Sequence, residues 1–400
     1  MANIKPSILF ISTQLPFPPK SGGTVKSWNY VKDLSARYKL SVACLLKHDD
    51  DQFVESFKSK LPLANLITHA HQTSRSITTL LKSYLGHACL NVYRNHSKTF
   101  RNQLSAVLKE VEAVIIDHYE MFQYVPVDFT GKVILHTHNA EFMLWQRMSE
   151  LESNPFKKLI LRLEAKRVAK FEQEIFNRSD LIYTTESDQE LYRKHSFQLG
   201  NIQVTYHLGN DTLLDLPNIE FSSTELAITF MGTLSWEPNV DGLLWFIENV
   251  YPKVLKKHPN CKLYVLGKDP DARLLKAAQS FEFIVFTGFV KELDSYLKKT
   301  RVYIAPLRFG SGMKVKVLEG LYRGVPTVST SVGAEGLKVE DNKHIMIANE
   351  PDTFAGKCIR LLEDEKSWNS LLANSRQIAR QEYQWIPLFE RMDIELKKVL

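Results

Sequence analysis

The 400-residue sequence is poor in several features, and each shortage excludes a class of protein. It has four cysteines, Cys44, Cys89, Cys261 and Cys358, none close to another. That spacing offers neither a disulfide framework nor a cysteine-based zinc site, and it predicts isolated, buried thiols in a reducing compartment. No apolar run reaches the length of a membrane-spanning helix, and the opening MANIKPSILFISTQ has an apolar stretch short of a signal-peptide core. A cytoplasmic location is expected, with any membrane contact peripheral on the inner face. The fingerprint G-x-G-x-x-G is missing after the first strand, which disfavours NAD. Charge of one sign is only mildly in excess, at +6. That suits an anionic ligand or surface, and no nucleic-acid motif accompanies it.

What is present is an alternation of strands and helices over a chain longer than one core usually holds, so two α/β domains are expected. Residues 7 to 46 read as strand SILFIST, loop QLPFPPKSGG, a helix through WNYVKDLSARY, then strand LSVACLL. The periodicity lapses over NDTLLDLPNIEFSST, residues 210 to 224, and restarts with LAITFMGTLSWEPNVDGLLWF. The domains are therefore drawn at 1–210 and 225–383, with 384–400 returning to the first. The densest stretch is 301–337, RVYIAPLRFGSGMKVKVLEGLYRGVPTVSTSVGAEGL. A buried strand runs into a turn containing Gly310, Ser311 and Gly312, and helical spacing begins at Met313. A helix start after a glycine turn suits phosphate. Lys314 and Lys316 add positive charge, and Glu319, one turn in, could accept hydrogen bonds from vicinal hydroxyls such as those of a ribose.

The string P-L-x-x-G-x-G-x-K-x-K-x-L-E-G, followed by G-V-P-T-V-S-T-x-x-G-A-E-G, resembles the nucleotide-sugar site of the GT-B glycosyltransferases called family 4, or glycosyl transferases group 1. The resemblance implies two Rossmann-like domains facing across a cleft, with a C-terminal helix crossing back to the first. It implies transfer of a sugar from a nucleoside diphosphate sugar to a hydroxyl of a glycan or lipid-linked acceptor in surface polysaccharide synthesis, such as lipopolysaccharide. Configuration would be retained, with no metal and no cofactor beyond the donor itself. In that family the second domain binds donor and the first binds acceptor. Glu319 would hold the ribose; Gly310, Ser311, Gly312, Lys314 and Lys316 the diphosphate; and Gly288, Phe289 and Val290 the base. Gly232 and Thr233 would form a donor-side loop, Gly23 would lie between acceptor and donor phosphate, and His138 would reach the sugar as the catalytic residue. The sequence departs from the family at three places. Ser311 stands where many members have a glutamate, and Thr233 and Pro238 stand where many have an arginine and a lysine. Charge on the diphosphate would then fall on Lys314, Lys316 and Arg308. The same departures support an alternative, a non-catalytic GT-B subunit that binds a glycan or a partner.

Other stretches carry weaker signals. From Arg75 to Lys109 the sequence has basic residues and no acidic one, interleaved with Ile77, Leu81, Tyr84, Leu85 and Phe100. This reads as an amphipathic helical stretch for a peripheral membrane contact through 75–109, or as a solvated helix packed on the domain. His136 and His138 form an H-x-H, as do His69 and His71, but no third ligand stands at a recognisable spacing, so no metal site is expected. Residues 155 to 178 predict one long charged helix, mainly a scaffold face, and a helix capped by Ser187 or Asp188 follows strand LIYT. Asp269-Pro-Asp271 predicts a surface turn.

Overall fold

The computed structural model describes residues 5–19, 22–74, 76–310 and 312–400. The chain divides into two units, Met1–His207 with Ile386–Leu400, and Leu208–Trp385. In the first unit β1 (Ser7–Ser12), β2 (Lys39–Leu46), β3 (Asn65–Ala70), β4 (Ala113–Ile116), β5 (Lys132–His136), β6 (Leu181–Thr184) and β7 (Ile202–Val204) form one sheet. Its order is β3-β2-β1-β4-β5-β6-β7, and every pairing is parallel. Helices cover both faces of such a sheet, which is why β1 and β4 are uninterrupted apolar runs with Ile8 to Ile11 and Ala113 to Ile116 fully buried. Chain order reverses between β1 and β4, so their carboxyl ends diverge into a crevice, the usual ligand position in an open α/β sheet.

The second unit repeats the plan with β8 (Ala227–Met231), β9 (Lys262–Leu266), β10 (Ile284–Gly288), β11 (Val302–Ala305), β12 (Thr327–Ser329) and β13 (Met346–Ile347). Their order is β10-β9-β8-β11-β12-β13, again parallel, with the reversal between β8 and β11. The stretch 301–337 therefore lies at this unit's switch point.

The closing helix Trp385–Val399 has Trp385, Leu388, Phe389 and Met392 buried together on one side, as their spacing predicts. From Ile386 onward it groups with the first unit. Phe389 stacks on Tyr30 with ring centroids 5.7 Å apart, Asp393 accepts from Tyr38 Oη at 2.6 Å, and the Met392 carbonyl accepts from Tyr183 Oη.

Several local expectations hold. All four cysteines are free and buried. The helix Pro155–Asn177 is continuous, started by Asn154, whose side chain accepts from the Phe156 and Lys157 N–H groups. Asp269 and Asp271 lie in a turn, with Asp271 capping the helix Ala272–Ala278. Two expectations change. The helix Glu186–Lys194 is capped by Thr185, because its hydroxyl accepts from the Asp188 N–H at 3.1 Å and donates to the Asp188 carboxylate at 2.8 Å, drawing Asp188 inward. The stretch 75–109 is not one amphipathic helix; Arg75 lies outside the described residues, and the remainder forms three short helices, Ile77–Ser83, Leu90–Arg94 and Lys98–Val107. Cys89, Val92, Phe100 and Leu104 from the later part are buried in the core beneath the sheet.

Candidate functional site

In the second unit, β11 ends at Ala305 and the chain turns through Gly310 and Gly312, whose φ values of 141° and 71° favour glycine. Ser311, expected in this turn, lies outside the described residues. The helix Val315–Arg323 begins two residues later than the pattern at Met313 suggests, because Lys314 keeps an extended conformation as its N-cap. Among the described residues no side chain caps this start. Its apolar face, Val317, Leu318 and Leu321, is fully buried, and Gly324 ends it in the left-handed conformation.

Glu319 is buried on this helix. Its Oε1 accepts from the Asn210 N–H at 3.0 Å, while Oε2 is buried with no hydrogen-bond partner among the described residues. Burial raises its pKa to about 7, against the pull of the Asn210 bond. A carboxylate held this way is primed to accept donors that the protein does not supply. The close approach depends on Gly209, where a Cβ would lie 2.5 Å from Oε1.

Lys316 is half-buried, with Nζ donating to Asn239 Oδ1 and lying 4.7 Å from the centre of the Phe230 ring. Desolvation, then the charge of Lys314, lowers its pKa to about 7. Lys314 is buried, its Nζ donating to the Gly312 carbonyl and standing 3.5 Å from Glu335. Arg308 is committed to a two-pronged pair with Asp241. Gly232 and Thr233 follow β8, beside the 310 turn. Thr233 is exposed, and its carbonyl accepts from Asn239 Nδ2 at 2.9 Å. A Cβ on Gly232 would lie 2.6 Å from the same nitrogen. Gly288 closes β10 with φ of 69°, Phe289 beyond it is 77% exposed, and Val290 packs on Leu266 and its neighbours. The sequence reading missed Asn239, Gly209 and Asn210, which belong to no charged or glycine-rich motif.

In the first unit the crevice between β1 and β4 holds a different chemistry. Asp117, directly after β4, is wholly buried and accepts from Ser12 Oγ at 3.2 Å, Ser27 Oγ at 2.6 Å, His136 Nδ1 at 2.8 Å and His138 Nε2 at 3.1 Å. Burial alone would raise its pKa, but His138, His118 and these hydrogen bonds hold it well below the usual carboxylate range. An anionic carboxylate only accepts, so both imidazoles donate to it. His138 thereby keeps its Nδ1 lone pair free on the side where Gly23, in the helix Gly22–Arg37, has no side chain; a Cβ there would lie 3.6 Å from Nδ1. Burial drives the His138 pKa well below its ordinary value, with His118 adding to the effect. His118 stacks flat on His138 at 4.1 Å and is drawn upward by Asp117, whose Oδ2 is 3.3 Å from Nδ1, against the desolvation that lowers it. His207 Nε2 bonds the His138 carbonyl at 2.7 Å. Lys26 is buried, donates to the Thr137 carbonyl at 2.7 Å, and is lowered to about 7 by desolvation despite Asp117 and Asp188.

The sequence shows no third ligand beside His136 and His138 at a recognisable spacing, but the fold brings Asp117 to them. Asp117 comes from a neighbouring strand, and the three ligand atoms lie within 4.8 Å of one another. The second pair is occupied otherwise, His69 with Ser97 Oγ and His71 with the Arg94 carbonyl.

Two parallel sheets, each with its switch-point crevice, define the GT-B glycosyltransferase fold, and solved structures bear this out. HepE from Anabaena in complex with UDP superposes with a TM-score of 0.70 at 12% identity, over 98% of this chain and 100% of that one. WaaG, a glycosyltransferase involved in lipopolysaccharide biosynthesis, gives 0.67 at 16%, over 97% and 99%. Residues 225–364 match the family Glycosyl transferases group 1, the group whose motif the stretch 301–337 carries. An uncharacterised 44.6 kDa protein in the cps region of Klebsiella pneumoniae is 22% identical over 385 residues, 94% of this chain and 96% of that protein.

Proposed function

We propose that the protein transfers a sugar from a nucleoside diphosphate sugar to a hydroxyl of a glycan or lipid-linked acceptor in surface polysaccharide synthesis, retaining configuration and using no metal. The observation that carries this reading is Glu319, a buried carboxylate one turn inside a helix that follows a glycine turn, with one oxygen unpartnered and no side chain capping the helix among the described residues. In this reading its oxygens take the two ribose hydroxyls. The turn at Gly310, Ser311 and Gly312, the helix start, Lys314 and Lys316 take the diphosphate. Gly288, Phe289 and Val290 border the base, and Gly232 and Thr233 border the phosphates. As the sugar leaves, the diphosphate gains negative charge, and fixed N–H groups and lysines stabilise that charge more than the ground state. His138, oriented by Asp117, offers its Nδ1 lone pair beside Gly23 to a sugar hydroxyl and to the positive charge developing on the ring. The relatives supply context: HepE is seen with UDP, WaaG acts in lipopolysaccharide biosynthesis, and the Klebsiella protein lies in a cps region.

The test is calorimetry of UDP, GDP and ADP with the full chain and with Glu319→Ala. One diphosphate is expected to bind, and the variant to lose about 2 to 4 kcal/mol, the worth of two charge-assisted hydrogen bonds. Equal affinity in the variant would remove the ribose role.

A further inference from the structure

The first unit carries an exposed face that neither crevice uses. Along the helix Pro155–Asn177, Phe156, Ile160, Leu163 and Arg167 fall at i, i+4, i+7 and i+11, one stripe of the helix surface. Phe156 is 79% exposed, and Leu159, Ile160 and Leu163 are exposed beside it. The Arg167 end of the stripe is tied to a second segment. Its guanidinium donates to the Ser83 carbonyl at 2.7 Å and the His87 carbonyl at 3.0 Å, and lies 3.9 Å from the centre of the Tyr84 ring. That segment presents Ile77 and Leu85, each 78% exposed, with Leu81 and Tyr84. Two apolar clusters distant in sequence are thus joined into one patch.

The charge around the patch is mostly positive. Lys82, Lys157, Arg162 and Lys166 are exposed, and Lys158 is half-buried. No acidic residue occurs between 153 and 163 or between 75 and 109, and Glu164 is buried against Arg167 and the Leu90 N–H. Beside the stripe runs a groove of about 630 Å³ whose apolar walls include Phe142, Leu159, Leu163 and Phe197, with Arg162 and Lys166 at its edge and Glu150 its acidic member. Exposed apolar side chains ringed by lysine and arginine match an anionic lipid surface, where the apolar groups enter the acyl region and the cations meet the headgroups.

We infer that the first unit docks on anionic lipid bilayers through this composite face, Ile77 to Leu85 together with Phe156 to Leu163, and that the groove receives an apolar lipid chain. The later part of 75–109 takes no part, because Val92, Phe100 and Leu104 are core residues. The docking does not rest on the transferase reading. Docking is measured without donor, so either can fail alone.

The experiment is co-sedimentation of the full chain with vesicles of phosphatidylglycerol and phosphatidylcholine, against pure phosphatidylcholine. Binding to the anionic vesicles is expected, weakened by salt as screening requires. The double variants Phe156→Ser/Leu159→Ser and Leu81→Ser/Leu85→Ser should each reduce it by about tenfold or more, with thermal melting and nucleotide affinity unchanged because these side chains are exposed. Lys157→Glu/Lys158→Glu should abolish the preference for anionic lipid. The inference is overturned by absence of binding, by equal binding to both vesicle types, or by variants that bind as wild type does. It is also overturned if light scattering gives a dimer that Phe156→Ser/Leu159→Ser dissociates, since the face would then be covered by a second copy.

Discussion

Lys316 illustrates how a single side chain can be held ready at a cost. Desolvation brings its folded-state pKa to about 7 from 10.5, so between those values the free protein holds it largely neutral. A bound diphosphate restores the charge and raises that pKa, so binding takes up a proton in this window. Affinity should therefore be level below about pH 7 and fall above it, by up to about tenfold per unit for one proton. Calorimetry from pH 6.5 to 9 checks this, and Lys316→Ala should bind more weakly at pH 7 with no alkaline fall. A wild-type profile flat to pH 9 would mean that Lys316 does not meet the phosphates. Lys314, buried against its own loop at Gly312 and near Glu335, is expected to matter less through its side chain. The same sign argument applies to stability: above pH 7 a neutral Lys316 or Lys26 carries no buried-charge penalty, while the unfolded chain remains protonated, so their contribution favours folding increasingly up to about 10.5.

At the scale of the element, another chain segment approaches the helix Val315–Arg323 closely because a glycine leaves room. Gly209 sits against Glu319, and the atom that an alanine Cβ would displace is the flexible end of that side chain. Gly209→Ala should therefore leave the melting temperature within a few degrees of wild type while weakening nucleoside diphosphate binding by about 1 to 2 kcal/mol, the worth of a disturbed hydrogen bond. A melt that collapses, or an affinity that is unchanged, would contradict this division of roles. The position also marks where sequence reading ran out. The strand, glycine turn and helix at 301–337 were legible because each is signalled within a few residues: an apolar run, Gly310 and Gly312, then helical spacing. The contact between Asn210 and Glu319 spans 109 positions, and that between Asn239 and Lys316 spans 77, both through groups without a local pattern. Asp117 belongs to no local pattern, since its meaning lies in Ser12, Ser27 and the two histidines brought to it by strand order. Of the two readings of 75–109, packing on the domain holds for its later part, because a helix face that looks membrane-facing in sequence can instead be the face buried on a sheet, as Phe100 and Leu104 are.

For the whole molecule, each unit has its own switch-point crevice. The second has a helix start with no side-chain cap among the described residues, two lysines and a carboxylate with one oxygen unpartnered among them, which the proposal assigns to the nucleoside diphosphate. The first has a histidine bonded to a buried aspartate beside a glycine, which the proposal assigns to the sugar. The proposed transfer needs both sets of residues, and turnover tests that most directly. UDP- and GDP-sugars are incubated with the full chain and a membrane lipid extract, and released nucleoside diphosphate is followed for wild type and His138→Ala. One donor should release diphosphate only when extract is present, and His138→Ala should slow that release by about 100-fold or more while donor affinity stays near wild type, as for a contact that strengthens in the transition state. Release by His138→Ala at the wild-type rate, or donor binding without turnover for every sugar tried, would contradict the account.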